Sequence, residues 1–355
     1  MTNGTITGNT GEWSELYALV FILTYWGLFG ADKEQNKKKE IFYKVVEVFL
    51  EWKNKESTLQ YTLLEKDIEI YNQGNLLGTI SISDLEIHLK QFFTDLSSQN
   101  DWRAYSLGSW SAILELLQRK WIKASSKKKK DIDLVILDSL TKAPTPILWF
   151  SIKSQLWTAS TLLNASKATN FIYEILDQDW NTPANLPALH DKNVKDNMCL
   201  LREKGFRIVF RNIESETFEK NIGLIDSNLA NSIASIMLSY YSRNGTKIAD
   251  LTEIEYQGND QVKHKIKEFI AIMALWMMPN TEWDWILTTL GWIILVKRDG
   301  DVLCYYLYNL KDFQDYLFEN VKFDTPSTTR YGIGKIIKEW WRYFIKLNLQ
   351  IRFLK

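Results

Sequence analysis

Apolar and polar positions alternate most regularly near the end of the chain. There Ile345, Leu347, Leu349, Ile351 and Phe353 fall on one face of an extended segment, and Lys346, Asn348, Gln350 and Arg352 on the other. A period of two is that of a half-buried strand. All four polar members are hydrogen-bond donors and none is acidic, which suits phosphate oxygens and base edges. Residues 293–308, IILVKRDGDVLCYYLY, read as a hairpin turning at 298–301, and residues 58–82 read as strand-rich. Helical spacing marks Trp13, Leu16, Tyr17, Val20 and Leu23 behind Thr10 as N-cap, and also residues 41–53, 83–96, 109–122, 224–241 and 262–277. The interleaving predicts a mixed α/β chain. Residues 1–180 would hold a mixed central sheet flanked by helices, and 181–355 a helical and then strand-rich α+β region packed with it.

Residues 131–153, DIDLVILDSLTKAPTPILWFSIK, are the most informative segment. Pro144 and Pro146 cannot donate to a ladder, so 141–146 is the expected turn and the flanking runs pair about residue 142. That register sets Asp131 opposite Lys153 and Asp133 opposite Ser151. These four then share one face, while Ile132, Leu134, Ile136, Leu148, Phe150 and Ile152 share the other. Asp138 falls on the wrong face, at the turn end. A one-residue slip would exchange the faces of one strand. Two carboxylates and a lysine are the minimum apparatus for hydrolysing a phosphodiester with a metal ion: hard oxygens hold the cation, and the ammonium orients water or stabilises charge. Solvated strand ends would show the same residues, so the pattern alone is weak. Glu15, in the first turns of the N-terminal helix, is the candidate third carboxylate; the helix dipole also favours it and Glu12 there.

Composition narrows the partners. Lys and Arg balance Asp and Glu at 43 each, so any binding of a polyanion must come from local patches. Residues 127–130 are four lysines entering the first strand, and Thr161, Asn164, Ser166, Lys167, Thr169 and Asn170 crowd donors after the second. Two cysteines form no disulfide framework, which fits a reducing cytoplasm, and His88, His190 and His264 are too scattered for a histidine site. The polar N-terminus is no signal peptide. The apolar run 16–29 is about 14 residues, short of the roughly 20 that span a bilayer, and is expected to be a buried helix.

Several blocks together resemble the HpaII-type restriction endonucleases, which read CCGG in duplex DNA. They are GEWSELYA (11–18), IKASSKKKKDIDL (122–134), FSIKSQL with TLLNASKATNF (150–171), KRDGDVLCYYLYN (297–309), FDTPSTTR (323–330) and KLNLQIRF (346–353). The resemblance implies a Type II endonuclease with a PD-(D/E)xK nuclease-like core, dependent on Mg2+ and partnered by a DNA cytosine methyltransferase. By position, Asp131 is the family's strand carboxylate, Ser151 and Lys153 a variant S-x-K, and Glu15 the helix glutamate; Asp131, Asp133 and Glu15 would hold the metal. Lys123, Asn164, Ser166, Lys167, Asn170, Arg330, Lys346, Asn348, Gln350 and Arg352 are the candidate DNA contacts, arginine and lysine being apt for guanine. Cutting both strands of a palindrome calls for two active sites, hence a homodimer on DNA. A repair or structure-selective nuclease, and a DNA-binding protein with a degraded site, are the other readings.

One departure concerns tryptophan. Fifteen in 355 residues is abnormal, while sixteen glycines fall short of the ~25 that average usage would give. Trp26, Trp149, Trp157, Trp276, Trp285, Trp292, Trp340 and Trp341 stand where the family pattern has a small residue or where a turn is expected. Glycine at such places supplies positive φ or close approach. The expectation is that these codons are UGA, read as glycine by the organism.

Overall fold

The computed structural model describes residues 6–51, 58–98, 104–119, 131–156, 160–189, 193–285, 293–306 and 310–354. They divide into two compact units, one built from residues up to 160 together with 288–313, the other from 161–287 and 314–354. The first contains α1 (Thr10–Tyr25), β1 (Gly27–Ala31), β2 (Lys37–Glu51), β3 (Thr58–Leu64), β4 (Asp67–Asn72), β5 (Asn75–Ser81), α2 (Ile82–Ser98), α3 (Trp110–Leu116), β6 (Ile132–Ile136), β7 (Leu148–Ser154), β11 (Ile293–Val296) and β12 (Val302–Tyr305). Its nine strands form one mixed sheet in the order β1-β12-β11-β7-β6-β2-β3-β4-β5, in which β7–β11 and β1–β12 are parallel and the other pairs antiparallel.

α1 is apolar all round because it is buried: Trp13, Leu16, Ala18, Val20, Ile22 and Leu23 are completely enclosed. Its N-cap is Asn9, one residue before the expected Thr10. The Asn9 side chain accepts from Glu12 N at 3.1 Å and Glu12 Oε2 accepts from Asn9 N at 3.0 Å, a capping box that accounts for Glu12.

Of the helix expected over 41–53, residues 41–51 are not helical, and 52 and 53 lie outside the described residues. β2 covers 41–51, with Tyr43, Val45, Val48 and Leu50 buried. A register shift against β6 between Val45 and Glu47 inserts a residue, and the resulting three-residue spacing imitates a helix. Within the helix expected over 109–122, α3 takes up 110–116 and Gln118 at φ 52° closes the turn after it, while 120–122 lie outside the described residues. The expected hairpin forms over the described residues 293–305, with β11 antiparallel to β12 and Gly300 at φ 86° in the turn.

The second unit contains β8 (Thr161–Leu163), a 3-10 turn (Lys167–Thr169), β9 (Asn170–Leu176), α4 (Val194–Glu203), β10 (Arg207–Ile213), α5 (Glu216–Ile225), α6 (Leu229–Tyr241), α7 (Ile248–Tyr256), α8 (Asp260–Leu275), β13 (Val321–Phe323), α10 (Thr328–Tyr331), β14 (Ile336–Glu339), β15 (Arg342–Asn348) and β16 (Ile351–Phe353); α9 (Leu310–Asn320) has residues in both units. One sheet is β10-β9-β15-β14 and another β13-β16-β8. The single terminal strand expected from alternation is therefore two, in different sheets. The ladder of β15 with β9 ends at Asn348↔Asn170, where the partner bends into the 3-10 turn and Leu349 N donates instead to Thr169 O at 2.9 Å.

Nine described non-glycine residues have positive φ, and four are tryptophans: Trp26 (46°), Trp180 (66°), Trp285 (63°) and Trp340 (57°). Bulky side chains are strained there. Trp26 is the left-handed C-cap of α1, where glycine is favoured, and its indole N–H is buried without a partner among the described residues. Trp340 begins the two-residue turn between β14 and β15 and is 88% exposed. Trp180 lays its ring over Arg207, and Trp149, Trp276 and Trp341 lack positive φ. Trp157 and Trp292 lie outside the described residues. Trp13 is the contrast: helical, enclosed, its Nε1 donating to Tyr105 O at 3.1 Å.

Candidate active site

β7 lies between β6 and β11, so both its edges are hydrogen-bonded and its side chains stand off the sheet. The observed pairs are Ile132↔Phe150, Asp133↔Trp149 and Leu134↔Leu148, a register centred on residue 141. This corrects the sequence register by one residue, which moves every partner by two and keeps the faces. The cause is the turn. Asp138 accepts from Leu140 N (2.9 Å) and Thr141 N (2.7 Å), and Leu137 bridges Pro144, so the chain reverses before the prolines.

Asp131 therefore meets Ser151 rather than Lys153. Ser151 Oγ donates to Asp131 Oδ2 at 3.1 Å and Ile152 N donates to the same oxygen at 2.7 Å, while Asp131 N donates to Phe150 O. Ser151 is 4% exposed and Asp133 7%. One turn into α1, the hydroxyls of Ser14 and Ser154 hydrogen-bond at 2.8 Å, tying the helix to β7 and delivering Glu15 beside the strand. Tyr17 Oη anchors α1 a second time, to Gly300 O at 2.8 Å.

The electrostatics join these parts. Burial, then the charges of Asp131 and Glu12, push the Glu15 carboxyl up to about 8 against the opposing pull of Lys153 and Arg119. Burial likewise raises Asp131, opposed by Lys153, the Ile152 N–H and the Ser151 hydroxyl. Arg119, which sequence reasoning passed over, is 8% exposed and has Tyr61 and Glu15 as its charge neighbours. Its only sequence signal was a guanidinium ending the apolar run ILELLQR. Among the described residues no group of three or more His, Cys, Asp or Glu is placed to hold a metal; the two acids brought together are Glu15 and Asp131.

A carboxyl raised by the fold destabilises that fold once it ionises, so the Glu15 contribution is favourable below about 4.5 and is lost as pH rises towards 8. In metal-free buffer, the wild-type unfolding midpoint should fall across that window and Glu15→Gln should flatten the fall. Parallel pH profiles for the two proteins would refute the placement.

In the second unit, Asn170 and Asn348 are buried and bonded to each other: Asn348 Nδ2 donates to Asn170 Oδ1 at 2.6 Å and to Ser166 O at 2.7 Å. Asn170 Nδ2 donates to Glu214, which also pairs Lys346 at 2.9 Å. Arg352 pairs Asp324 at 2.8 Å and Gln350 is 7% exposed. Asn164, Lys167 and Arg330 are exposed, Arg330 beside the Tyr331 ring. Lys123 and residues 127–130 lie outside the described residues.

The mixed sheet thus brings two acids, a hydroxyl and a lysine together beside one helix. Comparison with known proteins makes the class a site-specific deoxyribonuclease of Type II. The family model described as HpaII restriction endonuclease matches residues 9–353, and the chain belongs to that family. It is 36% identical, over 98% of its own length and 99% of the relative's, to the Type II restriction enzyme HpaII of Haemophilus parainfluenzae. No solved structure matches.

Proposed function

We propose that the chain cuts both strands of duplex DNA at CCGG by Mg2+-assisted hydrolysis, on a PD-(D/E)xK-like core. In this reading Asp131, Ser151 and Lys153 form the variant motif, and Glu15 stands in for the acid that Ser151 replaces. The observation that carries the reading is the shared, half-buried neighbourhood of Glu15, Asp131 and Lys153, with Asp131 tied to β7 by the Ser151 and Ile152 hydrogen bonds. The donors suit a hard cation: the two acids disfavour each other's ionisation, and among the described residues Asp131 takes its side-chain hydrogen bonds on Oδ2, which leaves Oδ1 to face a metal. Asp131 and Glu15, with Asp133, would hold Mg2+, which would supply positive charge to the phosphate oxygens.

The chain's own residues do the rest. Ile152 N–H and Ser151 Oγ fix the Asp131 carboxylate in one orientation. The Lys153 ammonium orients the attacking water and stabilises negative charge on the phosphoryl oxygens. The charge of Arg119, like that of Lys153, opposes the rise of the Glu15 carboxyl. Lys123, Asn164, Lys167 and Arg330 contact the backbone. A homodimer on DNA supplies one site per strand, and a cytosine methyltransferase protects host DNA in the same cytoplasm.

Plasmid digestion with Mg2+ tests the reading. Discrete fragments with ends mapping to CCGG are expected, and none without the metal. Ends at another fixed sequence would overturn the specificity, while a smear or retention without cutting would favour a structure-selective nuclease or a mere binder.

A further inference from the structure

Glu174 sits in the middle of β9, 2% exposed, in a sheet where a lone buried carboxylate would be costly. Two arginines hold it, one from each neighbouring strand. Arg342, the first residue of β15, donates through Nε and through Nη2 at 2.6 Å, its guanidinium passing over the Phe344 ring opposite Glu174. Arg211 donates through Nε at 2.5 Å to Oε2 from the other side. Arg211 is the extra residue in the register shift of β10 between Phe210 and Asn212, a bulge that re-aims its side chain.

One arginine would neutralise one carboxylate; the second leaves the cluster with a net positive charge. Both guanidinium side chains remain about two-fifths exposed, at 40% and 43%. Each has five N–H donors, and those not spent on Glu174 form an outward edge. Two rigid outward forks fixed by a single carboxylate match the paired O6 and N7 acceptors of guanines on neighbouring base pairs.

We propose that Arg211 and Arg342, clamped by Glu174, read guanine edges in the major groove. The inference rests on the DNA-cleaving function above and adds the reading residues, which differ from those expected on the terminal strand. Glu174 is a positioning residue in this scheme.

The test uses the full chain and a duplex carrying the site that the wild type cuts, with each guanine in turn replaced by 7-deazaguanine, which lacks the N7 acceptor. Binding is measured in magnesium-free buffer. The wild type should lose about 5- to 150-fold in affinity at the guanines that are read. Arg211→Lys and Arg342→Lys keep the charge but not the fork; each should lose that discrimination at its own guanine, with an unchanged unfolding midpoint. Overturning results are a wild type indifferent to every N7, lysine variants that discriminate as the wild type does, or variants weakened equally on all duplexes with a smaller salt slope, as phosphate contacts give. Failure of the wild type to cut at any fixed sequence would sink the proposed function and this assignment together. Fixed-site cutting with discrimination unmoved would sink only the assignment.

Discussion

Glycine in place of Trp180, Trp285 and Trp340 is expected to stabilise the protein by about 1 kcal/mol at each position, and Trp26→Gly to add to that gain. A non-glycine residue in the left-handed region costs roughly 1–3 kcal/mol, less the 0.5–1 kcal/mol of chain entropy that glycine gives back. All four residues have φ between 46° and 66°. Summed as independent sites, the three exposed positions gain about 3 kcal/mol, a large part of the 5–15 kcal/mol that holds a domain folded. Trp180, Trp285 and Trp340 are 59%, 56% and 88% exposed, so their removal leaves no cavity. Trp26 is the sharper test because it is 5% exposed. A native core tryptophan cut to glycine would lose about 3–5 kcal/mol, as is expected for Trp13→Gly, whereas a misread glycine restored should be neutral or gain. Its buried, unpartnered indole N–H favours the second outcome. Denaturant midpoints of the single variants decide the sign. The gene gives an independent answer: UGA is expected at codons 26, 149, 157, 276, 285 and 292 and, by their positive φ, at 180 and 340, with UGG at 13; UGG at all of the first six would end the idea.

Lys153→Ala should lower the cleavage rate by about 10³-fold, some 4 kcal/mol of transition-state stabilisation, with duplex binding retained. The magnitude follows from its position. Lys153 is partly buried at the end of a strand bonded on both edges, and its charge is felt by both Glu15 and Asp131. A rigid cation in a place poor in water stabilises developing charge more than a solvated one can. Lys153→Arg keeps the charge but not the point geometry and should recover only part of the rate. Single-turnover cleavage of an end-labelled duplex measures the step directly. A variant that cuts within tenfold of the wild type would remove Lys153 from the site.

Much of the fold was legible where local rules act alone. The helix at 10–25, the strands within 58–82, the α2 helix and the 293–305 hairpin follow from caps, period and turn residues. Where the local signal failed, a non-local contact had overridden it. The bulge in β2 imitated helical spacing, and the bend beside the 3-10 turn split an alternating run into two sheets. The catalytic candidates were legible for a related reason: alternation assigns a side chain to a face whatever the partner, so Asp131, Ser151 and Lys153 kept one face although the register was off by one. Arg119 and the pair Arg211 and Arg342 were not legible, because their roles come from carboxylates 104, 37 and 168 residues away in sequence.

By itself the sequence determined which face of the 131–153 hairpin carries Asp131, Ser151 and Lys153, through proline and alternation. Only the tertiary structure decided that Ser151 binds Asp131, that Glu15 joins them through the Ser14–Ser154 contact, and that the terminal donors Asn348 and Gln350 face the interior. The physical reason is that pairing and burial are set by the partner strand and the packed helix, which act across distances that no local period encodes.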